Sequence, residues 1–355
     1  YQTENKLEDG YFTLDGELDD NIRKDIEELD VSVYDNLYVN LVSEKDATVR
    51  VFGERTEVNL PYVAEGILPE EANEIFLDQI FALEQQLAVG DSIILNHEEY
   101  IISGVGAFPD YTISLEDSSQ MIADRSTFGV AMVSEKGFAK LNEKDISYNY
   151  AVLFRDEALT ESEQKDLMRE IITIVACVAP IQNYGKLDEA FDKMSNAAGI
   201  ENYTDTVSNK RISAVVSKME SNMEMAKMFV GVVFVIIAFL YMIFIKQTMN
   251  QECSVLGTLL ALGVKKKDIL LSYMLPPCIV TLAGSLIGCV LGSKVLYHLP
   301  VNSLESYYSI PKSSLNLDTA TLLVAIFAPI LLIIVINTIA IARKLSIKPL
   351  KLIRK

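Results

Sequence analysis

Histidine occurs only twice and cysteine only four times in the whole sequence, and each scarcity excludes a class of chemistry. Only Cys177 lies within residues 1–225; Cys253, Cys278 and Cys289 come later. No disulfide framework can form within that long first part, and the thiols read as small apolar fillers. His97 stands in the string Asn96-His97-Glu98-Glu99 and reads as a solvated turn residue. No Gly-x-x-x-x-Gly-Lys-[Ser/Thr] run occurs, so the chain has no P-loop for ATP. Zinc-ligand spacing, a calcium loop built on acids around a glycine, and a supported Ser/His/Asp set are all missing. These absences predict a chain that is not an enzyme and carries no metal or cofactor of its own.

What is present falls into two unlike parts. Mean hydropathy is +0.23 although 23% of the residues are charged. Residues 1–225 hold 45 acids and 18 bases; residues 226–355 hold 4 acids and 13 bases. So strong an asymmetry signals two environments, and it predicts no nucleic-acid partner for the acidic part.

A bilayer core needs about 20 apolar residues as helix. Three stretches without a charged residue qualify: Met228–Ile245, Ile269–Ser293 and Thr319–Ala342. The loop after the first holds Lys246, Lys265, Lys266 and Lys267, and the segment after the third is rich in lysine and arginine. Cytoplasmic loops collect such residues, so both are expected inside, and residues 1–225 outside the cell. The chain opens on Tyr1 with no apolar leader. Export of so large a domain predicts a further helix upstream, making four spans in place of three.

The outer part is long enough to bury its own core. Leu37–Val42, Thr48–Phe52, Gly129–Val133 and Asn149–Phe154 read as strands, and Ser92–Leu95 and Tyr100–Ser103 as a hairpin about Asn96-His97. Helices are expected at Asn73–Leu87, Glu135–Leu141 and Glu161–Ile171, the last opened by a capping box of Thr160 and Glu163. The β-branched run Ile171–Ala179 reads as a buried strand. Interleaved strands and helices place residues 1–207 in the α+β class.

Residues 208–227 form a stalk. Ile212, Val216, Met219, Met223 and Ala226, followed by Val230, step by 4 and 3 and share one helical face. No proline or glycine interrupts residues 209–230, so one helix is expected to run from the outer domain into the first span. In residues 228–355, a short apolar helix at residues 252–263 is expected between the first two spans, closed by Gly263. Gly284, Gly288 and Gly292 form a four-residue ladder in the second span, suited to close helix approach. Pro276-Pro277 is expected to kink or start that helix. The spans contain no Asp, Glu, Lys, Arg or His, which argues against a conventional polar solute channel.

The string Gly257-Thr258-Leu259-x-Ala261-Leu262-Gly263-Val264, with the lysines and Ile269 behind it, resembles the signature of FtsX-like permease domains. The ending from Ala342 through Pro349 to Arg354 is similar to that family's. Asn73-Glu74-Ile75, then Val89-Gly90-Asp91-x-Ile93, Tyr100 and Gly104-Val105, is similar to a MacB-like extracellular core, as is Val133-Ser134-x-x-Gly137-Phe138-x-x-Leu141. Leu260 departs from the family, which often has a basic residue there.

The resemblance implies a multi-pass permease of a bacterial plasma membrane, serving an ABC transporter. The helix from Glu252 to Gly263 would then couple to a cytoplasmic ATPase subunit, which binds the ATP and magnesium. Val255, Leu256, Leu259 and Leu262 would be its apolar contacts, with Gly257, Gly263 and Val264 in the motif. Lys265–Lys267 would meet anionic membrane lipid. A second permease, identical or related, is implied as a partner. The expected work is export or extraction of lipid, lipoprotein or peptide; the alternative is mechanical activation of extracellular cell-wall hydrolases.

Overall fold

The computed structural model describes residues 3–116, 120, 123–156, 158–176, 200–206, 208–312 and 318–345. Cys177 and the basic run from residue 346 onward lie outside the described residues. The chain divides into two compact units: Tyr1–Met219 with Ser303–Lys312, and Glu220–Asn302 with Ser313–Lys355.

The first unit is α+β. Its elements are β1 (Gly10–Leu14), α1 (Asp20–Glu27), β2 (Val31–Asp35), β3 (Tyr38–Val42), β4 (Thr48–Phe52), β5 (Tyr62–Gly66), β6 (Glu74–Asp78), α2 (Gln79–Gln85), β7 (Ser92–Leu95), β8 (Glu98–Ala107), β9 (Phe128–Val133), α3 (Glu135–Phe138), β10 (Ile146–Phe154), α4 (Glu161–Ala176) and β11 (Ile200–Asp205). The strands follow the order β11-β1-β10-β3-β4-β9-β6-β8-β5, with β2 also on β10 and β7 on β8. Among the described strands, β4–β9 and β6–β8 are the parallel pairs.

Two lobes share this sheet. In the first, β1, β2, β10 and β11 bury Phe12, Val33, Tyr150 and Val152 beneath α1 and α4. In the second, β3, β4, β6, β8 and β9 bury Val49, Val51, Ile75, Leu77 and Ile102 with Phe81 of α2. Strand β10 links the lobes. Its first residues Ile146 and Ser147 pair with β3, while Tyr150–Phe154 pair with β2.

Two sequence expectations are corrected here. Residues 73–87 are not one helix, because Glu74–Asp78 is an interior strand. Ile75 and Leu77 face one core while Phe76 faces another, made with Phe52, Phe108 and Phe128. With both faces covered, the strand shows an unbroken apolar run in place of alternation. Asp78 then caps α2, accepting from the amides of Ile80 (3.0 Å) and Phe81 (3.1 Å). Likewise residues 171–176 are not strand but the end of α4. Its buried residues Met168, Ile171, Ile172 and Val175 recur at helical spacing. The capping box at its start does form: Glu163 Oε2 accepts from the Thr160 amide at 2.8 Å. The hairpin turn at Asn96 and His97 also forms, both residues taking positive φ.

A buried ion pair holds the second lobe to the loop after β8. Arg55 donates to both carboxylate oxygens of Asp110 at 2.8 Å, and its Nε donates to Asn36 at 2.9 Å. The guanidinium lies 3.9 Å from the Phe52 ring centroid. Residues Ser303–Lys312 also fold onto this unit. The Ser309 amide donates to Thr112 O (2.8 Å), and Gln79 Nε2 donates to Ile310 O (2.7 Å). The Ser309 hydroxyl meets the fully buried carboxylate of Asp78, which burial pushes up to about 6.

The second unit is helical. Its elements are α5 (Lys210–Gln251, whose first residues belong to the first unit), α6 (Cys253–Ala261), α7 (Lys266–Leu291), α8 (His298–Tyr307) and α9 (Thr319–Leu345). Among the described residues, three helices are long and apolar enough to cross a membrane: Lys210–Gln251, Lys266–Tyr307 and Thr319–Arg343. Pro276 and Pro277 lie inside α7, which starts at Lys266, so they do not begin the helix. Thr281 Oγ1, one turn further on, donates to Pro277 O at 2.8 Å.

Candidate functional site

The second unit has a compact apolar cluster around α6. Ile245 and Met249 of α5, Leu256 of α6, Ile269 of α7, and Ile336 and Ile341 of α9 pack together. Leu256 is fully buried in it, and Cys253 and Gly257 lie on the same face. Leu259 is half-buried against it. The short helix is thus fixed to three long ones along one face.

Polar contacts fix its two ends. Glu252, at the start, accepts a hydrogen bond from the Tyr273 hydroxyl of α7. At the end, Gly263 takes φ +86°, a conformation costly for any residue with a Cβ. The Gly263 amide donates to Leu260 O (3.2 Å) and the Val264 amide to Leu259 O (3.1 Å). This pair of bonds is a Schellman closure, and it satisfies carbonyls the helix end would leave open.

The other face is bare. Val255 is 55% exposed and Leu262 76%, with Val264 beside them. The residues read from the sequence therefore separate into two groups. Glu252, Leu256, Gly257 and Leu259 anchor the helix to its own unit; Val255, Leu262 and Val264 present an apolar surface. The expectation that Leu256 is a contact for a partner is corrected, since it has no exposed surface. Lys265, Lys266 and Lys267 follow, all exposed, at the N-terminal end of α7. Positive charge there opposes the helix dipole, so helix stability does not account for them.

The stalk and glycine residues are also uncovered in part. Ile212 is buried, but Val216, Met219 and Met223 are exposed and Ala226 with them. Val215, outside the stripe read from the sequence, is buried beside Ile212. Gly284, Gly288 and Gly292 were expected to admit a close helix, yet a Cβ at any of them would meet nothing within 4 Å. The ladder instead floors an apolar groove of about 840 Å³, walled by Phe229, Val233 and Phe234 of α5 and by Ala325 and Leu332 of α9.

Sequence reading missed the polar pair inside the bundle. Asn337 is fully buried, and its Oδ1 accepts from Tyr241 at 3.0 Å. An asparagine in an otherwise apolar span was the available signal.

Comparison with known proteins places these features. Residues 227–350 match the model of the FtsX-like permease C-terminal family. No curated protein matches the chain. Among solved structures, the chain is similar to the periplasmic region of MacB from Actinobacillus actinomycetemcomitans. Identity there is 13%, covering 60% of this chain and 92% of that one, with a TM-score of 0.30. It is also similar to the extracellular domain of the noncanonic ABC-type transporter YknZ from Gram-positive bacteria. Identity there is 9%, covering 54% and 98%, with a TM-score of 0.28. The matched segment, about a third of the chain, carries α6, α7, α8 and α9 and the part of α5 from residue 227 onward, so the likeness to FtsX-like permeases rests on the helical unit.

Proposed function

We propose that this chain is the membrane subunit of an ATP-driven ABC transporter in a bacterial plasma membrane, and that α6 is where a separate cytoplasmic ATPase subunit seats. The observation that carries this reading is the two-faced build of α6. One face is locked into the unit's core through Leu256, and the other presents Val255, Leu262 and Val264 to a partner. A helix that must pass on a push needs both, a rigid mounting and a free apolar contact surface. ATP and magnesium act on the partner, since this chain has no P-loop.

Lys265–Lys267 then lie at the inner membrane surface. Anionic headgroups attract each by about 1 kcal/mol, which offsets their unfavourable place at the start of α7. A push on α6 reaches α5 through Ile245 and Met249 and travels along a helix of 42 residues. The exposed stripe from Val216 to Met223 suits the same stripe of a second permease. Lipid, lipoprotein or peptide is the class of cargo consistent with spans free of Asp, Glu, Lys, Arg and His.

The test is co-purification of the full chain from membranes with the ATPase encoded beside it. Leu262→Asp should abolish capture, while Thr258→Ala, an exposed polar site on the same helix, should leave it intact. Undiminished capture by Leu262→Asp, or no capture by the unaltered chain, would refute the seat.

A further inference from the structure

Within the first unit, a cavity of about 210 Å³ opens where both lobes meet the first turn of α5. Two of the residues lining it are arginines, Arg50 of β4 and Arg211 of α5, each more than nine-tenths buried. Both guanidinium groups flank the Tyr111 ring, at 6.0 and 4.7 Å from its centroid. Arg50 donates to Tyr111 Oη (2.8 Å) and Asn40 Oδ1 (3.1 Å); Arg211 donates to the carbonyls of Leu115 (3.0 Å) and Glu116 (2.7 Å). Every one of these acceptors is neutral. A guanidinium has five N–H donors, so both retain capacity. Neither forms an ion pair among the described residues.

The buried acids nearby do not neutralise them. Asp110 is taken by Arg55. The Glu8 carboxyl is pushed up to about 8 by burial and by the charge of Asp110, so it carries its proton at neutral pH. Two buried cations thus share one cavity, a costly arrangement unless an anionic group joins them. The rim has the opposite sign: Glu116 and Glu201 line the opening and are exposed. Residues 1–225 are themselves strongly acidic, which repels a plain anion.

We propose that this cavity binds a small zwitterion, a free amino acid or the end of a short peptide, with its carboxylate between Arg50 and Arg211 and its ammonium toward Glu116 and Glu201. The volume admits a group of that size. Because Arg211 belongs to the first turn of α5, an occupant touches the root of the 42-residue helix. The cavity is then a recognition site in contact with the element that enters the membrane, and it does not depend on the seat assigned to α6.

The experiment is thermal melting and calorimetric titration of the full chain in detergent. The probes are L-alanine and L-alanyl-L-alanine, with acetate, ethylamine and inorganic phosphate as single-charge controls. One or both zwitterions should bind saturably and raise the melting temperature, and whichever binds more tightly distinguishes free amino acid from peptide end. Glu201→Gln, at an exposed position that leaves the fold intact, should weaken that binding about tenfold. Arg50→Lys, which keeps the charge but loses the planar fork, should weaken it at least as much. Equal binding of acetate or phosphate, binding indifferent to both substitutions, or no binding by either zwitterion would overturn the proposal.

Discussion

Replacing Glu8 by glutamine should remove a pH dependence that the first unit otherwise carries. The Glu8 side chain is buried; its Oε2 accepts from Asn59 Nδ2 at 2.7 Å, and its amide donates to Asn59 Oδ1 at 2.9 Å. Burial, aided by Asp110, pushes its carboxyl from 4.5 to about 8. Between these values the folded chain holds a proton that the unfolded chain has released. Unfolding therefore becomes easier as pH rises, by up to about 1.4 kcal/mol per pH unit. Asp78, raised to about 6, adds a slope of the same sign only below that value. The interval from pH 6 to pH 8 thus isolates Glu8, and stability should fall by about 2 kcal/mol across it. Glu8→Gln keeps an acceptor for Asn59 but cannot ionise, so its profile should be flatter by that amount. Urea unfolding of the full chain in detergent measures this through tyrosine fluorescence. Tryptophan is absent, and most of the 16 tyrosines fall between Tyr1 and Tyr203. Parallel profiles for the two proteins, or a parent chain that gains stability toward pH 8, would refute the reasoning.

Much of the fold was legible because its signals are local. A charge-free stretch of about 20 residues admits few structures. The three long apolar helices among the described residues were therefore legible, the third from its first residue, Thr319. The start of α5 at Lys210 was legible too, from the uninterrupted stalk that leads into the first apolar stretch; its other end was not, because helix continues to Gln251 past a stretch read as ending at Ile245. Strands β4, β7 and β9 were legible from β-branched clusters bounded by turn residues. Strand β6 was not, because its two faces serve two cores, and a fully apolar segment beside a real helix reads as more helix. Strand β1 pairs with β10 and β11, which lie far along the chain, and it is buried at every position. Nothing local marks such a strand.

The short helix α6 was legible in position but not in orientation. Spacing and the closing glycine located α6, and its Schellman bonds form as Gly263 requires. Which of Val255, Leu256, Leu259 and Leu262 is left exposed depends on where α5, α7 and α9 lie, and an apolar helix without polar punctuation gives no sign of that. Leu256 faces inward because those helices converge on it. The cavity between Arg50 and Arg211 was not legible at all. Its cations stand far apart in the chain, and each alone reads as one more solvated arginine.

Two further tests probe the buried polar contacts of the first unit. Arg55→Met leaves Asp110 buried without its cation and should cost about 3–5 kcal/mol in urea unfolding at neutral pH; Arg55→Met with Asp110→Leu should recover much of that loss. Ser309→Ala removes the hydroxyl that donates to Asp78, while the Ser309 amide and the Gln79–Ile310 bond stay in place. The hydroxyl bond favours the ionised carboxylate, so its loss should push Asp78 further up from about 6. The deficit should be about 1–3 kcal/mol above pH 6, where Asp78 is charged in the parent. It should shrink as pH falls toward 4, where the carboxyl is protonated in the folded chain of both proteins. A deficit of the same size at pH 4 and pH 8 would show that Ser309 acts only by filling space, and that the charge on Asp78 has no part in holding residues 303–312.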